Sequence, residues 1–152
     1  MRPIDEQEKD IIIKHRNKNN ISTLILSMVF IAVGFLMRYR SFGLLNSQRM
    51  KASVLLIIGF VLFIQSLVSL IRTKSLVDKM EVETIQILEM KMIDKKKLGA
   101  TIMMETSKGP QKKTVEIIPG EENVIAALNC GSLYYVKDKP YYMMAPGNSY
   151  YY

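Results

Sequence analysis

The sequence predicts an α+β membrane protein: a two-helix transmembrane hairpin followed by a small, mainly-β C-terminal domain. Three observations lead there. Two uncharged apolar runs, 21–37 and 52–71, follow one another in the first half of the chain. All of the excess positive charge flanks them: residues 1–79 hold 12 Lys and Arg against 5 Asp and Glu, whereas residues 80–152 hold 9 of each. Beyond residue 83 the pattern changes to short stretches of alternating apolar and polar residues between turn signals, the period of half-buried strands.

The first run, ISTLILSMVFIAVGFLM, has 17 residues and the second, ASVLLIIGFVLFIQSLVSLI, has 20. As helices they reach roughly 26 and 30 Å, against a hydrocarbon core of about 30 Å. The second is a full span, and the first needs some local thinning of the bilayer. A soluble protein can hold one such helix in its core; two in succession, each bracketed by Arg and Lys, point to lipid. Ala32-Val33-Gly34 has the small-x-small spacing of a signal-peptidase site. The apolar run nevertheless continues through Phe35, Leu36 and Met37 and about twenty polar residues precede it, so the expectation is an uncleaved anchor.

Two spans put both termini on one side. Arg2, Lys9, Lys14, Arg16, Lys18, Arg72, Lys74, Lys79 and Lys91 lie on that side, against Arg38, Arg40, Arg49 and Lys51 in the connecting loop. The positive-inside rule therefore places the N- and C-termini in the cytoplasm and the loop outside, in a multi-pass protein of the cell membrane. The predicted organisation is a juxtamembrane segment (1–20), a first span (21–37), a basic loop (38–51), a second span (52–72), a linker (73–82) and a β domain with a Tyr-rich tail (83–152). Asp5, with Glu8 three residues on, has the spacing of a helix cap.

Neither span contains Asp, Glu, Lys, Arg or His. That argues against a proton relay or ion pump within this chain, because both need ionisable groups inside the membrane. Gln65, about two turns from the Arg72 end, and with it Ser66 and Ser69, are candidate intramembrane contacts, to Ser27 or to another copy of the chain.

In the C-terminal half, TIQILEMKMID (84–94) reads as a strand. Leu88, Met90 and Met92 share one parity and Ile85 and Ile87 the other, which predicts a bulge near Ile87-Leu88. ATIMMET (100–106), KTVEIIP (113–119), SLYYVKD (132–138) and YYMM (141–144) read as further strands. GEENVIAALNCG between the third and fourth reads as a short helix, with Glu121 and Glu122 at its positive end and Gly131 as its stop. The order β-β-β-α-β-β is that of the five-stranded OB barrel, and a split sheet with one covering helix fits it nearly as well.

No catalytic constellation is visible. The single histidine, His15, is far in sequence from the single cysteine, Cys130. There is no Gly-rich phosphate loop and no zincin or nucleophile-elbow motif. The methionines at 90, 92, 103, 104, 143 and 144 read as adaptable core filler rather than as a copper site, because adjacent Met pairs on a strand diverge. The expectation is a non-enzyme with no cofactor and no metal. Lys95, Lys96, Lys97, Lys112 and Lys113 fall at two predicted hairpin ends and are candidate lipid-headgroup contacts. Seven of the eight tyrosines lie in the last nineteen residues. Tyr134, Tyr135, Tyr141 and Tyr142 suit the sheet, and Tyr150, Tyr151 and Tyr152 are candidate partner contacts.

The expected partners are the lipid bilayer and a protein, or a second copy of this chain. Nucleic acid is not expected, since the excess cations follow the apolar runs and not the folded domain. The leading expectation is a non-catalytic two-pass membrane protein presenting its β domain for assembly or regulation. The alternative is a small accessory subunit of a transport or channel complex that contacts its partners through the spans.

Overall fold

A computed structural model describes residues 2–40 and 46–147. Its elements are, in order, β1 (Arg2–Pro3), α1 (Glu6–Arg40), α2 (Asn46–Val77), β2 (Glu81–Gln86), β3 (Glu89–Asp94), β4 (Lys97–Thr106), β5 (Gly109–Ile117), α3 (Glu122–Leu128), β6 (Cys130–Val136) and β7 (Lys139–Met144). Two long apolar helices are thus followed by a mixed β sheet. The fold divides into a helical unit, 13–75, and a β unit that residues 2–12 join.

In the helical unit the buried positions recur in steps of four and three. Ala52, Leu56, Gly59, Ser66 and Thr73 are buried on α2, with Phe63 and Leu70 half-buried between them. On α1 the matching series is Asn20, Ser27 and Gly34, of which the last two are buried. This is a heptad seam, the spacing that keeps one face of a helix turned toward its neighbour. Small residues make its closest approaches: a Cβ placed on Gly59 would lie 3.1 Å from the Ile31 amide nitrogen and 3.2 Å from the Ser27 carbonyl oxygen. Many large apolar side chains point the other way: Ile25, Leu26, Met28, Phe35 and Leu36 on α1 and Ile57, Phe60, Val61 and Ile64 on α2 are exposed.

The β unit is one sheet of order β1-β2-β6-β7-β5-β4-β3. Every neighbouring pair is antiparallel except β5 and β7, which run parallel through Glu116↔Tyr142 and Ile117↔Met143. The expected single strand 84–94 is instead two strands, because successive residues bond to different neighbours. The Ile87 amide donates to the Asn129 carbonyl (3.1 Å) and the Leu88 amide to the Thr101 carbonyl (2.9 Å). The segment therefore leaves β6 and joins β4 at the position where the change of parity called for an irregularity. Since β2 and β3 are separated by these two residues only, yet lie second and last in the sheet order, the sheet curls back on itself.

Its core is Ile87, Ala100, Ile102, Met104, Val115, Ile117, Ile125, Leu133, Tyr135 and Met143 with their neighbours. On β4, Ala100, Ile102 and Met104 face inward while Met103 and Glu105 are exposed, the alternation that a pleated strand imposes. Helix α3 ends at Asn129, which adopts the left-handed conformation (φ 52°), and not at the expected Gly131, which lies inside β6. Asparagine can take that conformation because its short polar side chain bonds locally. Strand β1 has no counterpart in the expected order: Arg2 and Pro3 pair with Val82 and Glu81.

Candidate functional site

Two places in the structure gather polar side chains against apolar surroundings. The first is the helix seam. Asn20 Nδ2 donates to Ser69 Oγ at 2.8 Å, from one helix to the other. Ser27 is fully buried, and its hydroxyl donates to the Leu24 carbonyl of its own helix at 2.6 Å. Ser66 is buried in the seam, while Gln65, its neighbour, is exposed on the outer apolar face of α2. Asn17 is buried too, and its Oδ1 has no hydrogen-bond partner among the described residues. Asn17 and Asn20 lie just before the first apolar run, so a reading confined to the uncharged stretch passes over them.

The second place is a cleft of about 420 Å³ at one end of the curled sheet, lined by β2, β4 and the β6–β7 turn. Odd-numbered residues of β2 share the face of Ile87, so Glu81, Glu83 and Ile85 form one row leading out of the core. Ile85, Met104 and Tyr135 supply apolar surface, and Glu81, Glu83, Glu105 and Asp138 stand around it with one cation, Lys137. Tyr135 is 4% exposed, and its hydroxyl has no hydrogen-bond partner at bonding geometry among the described residues. Burial first, then the nearby charges of Glu83 and Glu81 and a loose hydrogen-bonding contact with the Glu81 carboxylate, push its phenol above the ordinary tyrosine value. Asp138 is already engaged: it accepts from the backbone amide and the hydroxyl of Ser107, and these bonds hold its carboxyl below the usual range. The signal in the sequence was the parity of EVETIQI, which puts two carboxylates in register with two core isoleucines.

A third cluster ties the N-terminal arm to the sheet. Glu8 accepts the Arg2 guanidinium in a forked pair, the Asp5 amide at 2.9 Å and the buried Tyr134 hydroxyl at 2.7 Å. Burial alone would raise the Glu8 pKa; the bonds from Arg2, the Asp5 amide and Tyr134 outweigh it and hold the carboxyl below its ordinary value. The Asp5–Glu8 spacing thus makes the expected contact at the start of α1, and the Tyr134 bond reaches across 126 residues of sequence.

The lysines do not converge. Lys95 and Lys96 are exposed on the β3–β4 turn, and Lys97 pairs with Glu116 at 3.4 Å. Lys112 and Lys113 lie within β5, opposite Met103 and Ile102, and not at a hairpin end, because the β4–β5 turn closes tightly on Ser107-Lys108. Lys113 donates to the Asp138 carbonyl. Tyr134, Tyr135 and Tyr142 are buried and Tyr141 half-buried. Tyr150, Tyr151 and Tyr152 lie outside the described residues. Comparison with known protein families, curated proteins and solved structures finds no match.

Proposed function

We propose that this chain is a two-pass membrane protein whose β unit is a non-catalytic interaction module held at the membrane surface, with both termini in the cytoplasm. The observation that carries the reading is the inverted helix pair. Gly34, Gly59, Ala52, Ser27 and Ser66 sit in the seam beside Leu56, Phe63 and Leu70, many bulky apolar side chains face outward, and only 11% and 17% of the most apolar stretches of the two helices are buried. A helix at the core of a soluble protein buries its large side chains; one solvated by lipid packs through its small ones. The β1–β2 pairing supports an even number of crossings, since it brings residues 2 and 82 into one sheet and hence into one compartment.

The module is an OB-type barrel on this reading. Counting β2 and β3 as one bent strand, the pairing order is 1-2-3-5-4-1 with α3 between the third and fourth strands, the OB arrangement named above. That fold hosts many functions, so the name adds none by itself.

The test is labelling with a membrane-impermeant maleimide in a Cys130→Ser background. Arg49→Cys is expected to react on intact cells, and Lys96→Cys only after lysis. Equal labelling of both, or recovery of the chain in the detergent-free supernatant, refutes the proposal.

A second reading, the accessory subunit of a transport or channel complex, is favoured by Gln65, an amide exposed in the middle of an apolar face. A hydrogen bond to a partner helix there is worth about 0.6 kcal/mol. Loss of a co-purifying partner on Gln65→Leu supports this second reading, whereas retention with Gln65→Leu and loss on removing the β unit supports the first.

A further inference from the structure

We infer that β3 pairs with the β3 of a second copy of this chain, antiparallel, about a two-fold axis that passes between the two Met90 residues. This names the partner of the interaction module and rests on that reading. β3 is the last strand in the sheet order and, among the described residues, pairs with β4 alone, so its other edge is open. All of it but the half-buried Met90 is exposed. Leu88, 55% exposed, and Met92, 60% exposed, share the parity of Met90, which packs against the core. An apolar row thus runs out of the core and ends bare along an unpaired edge, a template for another strand.

The charges decide which strand. In the antiparallel register centred on Met90, Glu89 lies opposite Lys91 of the second copy and Leu88 opposite its Met92. Every facing pair is then opposite in charge or apolar on both sides, the combinations that stabilise a sheet. Sliding by one residue sets each charge against an apolar side chain. Sliding by two sets Lys91 against Lys91 or Glu89 against Glu89, and parallel in-register pairing repeats both clashes. A lone lysine on an edge strand discourages association. Here Glu89 answers it from the other copy, and among the described residues neither Glu89 nor Lys91 has an ion-pair partner within its own chain. The register of β3 on β4 shifts between Met92 and Asp94, so the new ribbon covers 88–92 in each copy. A ribbon that short is marginal in water; confining both copies to one bilayer raises their effective concentration.

The test mixes full-length chains carrying donor and acceptor fluorophores at Lys108→Cys, in a Cys130→Ser background, in phosphatidylcholine vesicles. Energy transfer is read as the lipid-to-protein ratio is raised. The parent is expected to pair. Glu89→Lys sets lysine against lysine and Lys91→Glu sets glutamate against glutamate, so each variant is expected to pair with itself about tenfold more weakly. Mixed with each other, the two variants are expected to regain parental pairing, because every facing charge is again opposite. Separately, unlabelled Met90→Cys in the Cys130→Ser background is expected to form an intermolecular disulfide under mild oxidation, since facing Cβ atoms lie about 4.5–5.5 Å apart. Met92→Cys is expected to form none, because its two copies are staggered by roughly 14 Å along the strands.

Monomers at every density, equal transfer in the parent and both single variants, or no gain on mixing those variants overturns the inference. Cross-linking at Met92→Cys as strong as at Met90→Cys overturns it too, by removing the register. A chain recovered in the detergent-free supernatant refutes the membrane reading instead, and the same mixtures in buffer still decide the pairing.

Discussion

Replacing Gly59 by alanine tests the packing of the helix seam directly. The added Cβ would lie 2.8 Å from Ile31 Cγ1, 3.1 Å from the Ile31 nitrogen and 3.2 Å from the Ser27 carbonyl oxygen. Non-bonded carbon contacts settle near 3.5–4.0 Å, so the two helices must part by roughly 0.4 Å at this point. Two of the three contacts are backbone atoms, and no change of rotamer relieves them. Overpacking of this kind costs about 1–3 kcal/mol, and the better helix propensity of alanine offsets about 0.9 of it. The net loss is about 1 kcal/mol.

Gly34→Ala is the control. Its Cβ would meet Leu56 Cγ at 2.8 Å and Cδ2 at 3.0 Å, both on a side chain that can swing aside, and the Ala52 carbonyl oxygen at 3.3 Å. Clash and propensity then nearly cancel, for a change of about zero. The assay is reversible unfolding by dodecyl sulfate in mixed micelles, followed by energy transfer between labels at Leu26→Cys and Val61→Cys in a Cys130→Ser background. If Gly59→Ala proves as stable as Gly34→Ala, the close approach of backbones in the seam is refuted.

Three further outcomes are expected. Tyr135→Phe removes a buried hydroxyl whose neighbouring acceptor, the Glu81 carboxylate, lies outside good bonding geometry, and should stabilise the β unit by up to about 1 kcal/mol, read as a rise of up to roughly 4 °C in its melting temperature; a fall shows that the contact with Glu81 is a net stabilising bond. Glu8→Gln should cost about 2 kcal/mol, since it removes a charge-assisted fork and weakens the bond to Tyr134. Because the Glu8 pKa is depressed on folding, its contribution is fully present above the ordinary glutamate value of about 4.3 and fades as pH falls through the lower folded value. Acid melting curves of Glu8→Gln and the parent should therefore differ at neutral pH and converge in strong acid, and parallel curves would show that Glu8 is not the titrating group.

What the sequence disclosed was local. The charge-free runs locate both long helices, and the alternation in ATIMMET and SLYYV marks inward and outward residues of β4 and β6. The parity change at Ile87-Leu88 signals the irregularity there, although only the pairing shows that the chain passes from β6 to β4. Strand β1 escaped because two residues carry no period; its existence depends on the edge that β2 offers 79 residues later. Asn129 stops α3 in place of Gly131 because a side chain that bonds locally can do what an absent Cβ does. The cleft escaped for a related reason. Glu81 reads as the polar end of a linker and Glu83 as the first residue of the β domain, with nothing to join them to a cleft until Tyr135 is laid opposite Glu81 in the sheet.

The pairing of Arg2 and Pro3 with β2 has a consequence for biosynthesis. A ribosome makes these residues before either long helix, and the strand they join only after both. Until residue 82 emerges, the opening segment has no edge to complete, and the Tyr134 phenol and Glu8 carboxylate have not met. On the membrane-spanning reading, a finished head therefore certifies that both helices are threaded and that their outer ends share a compartment. A chain inserted with one crossing keeps a raw, unpaired margin, the kind of surface that quality-control proteases and chaperones can bind.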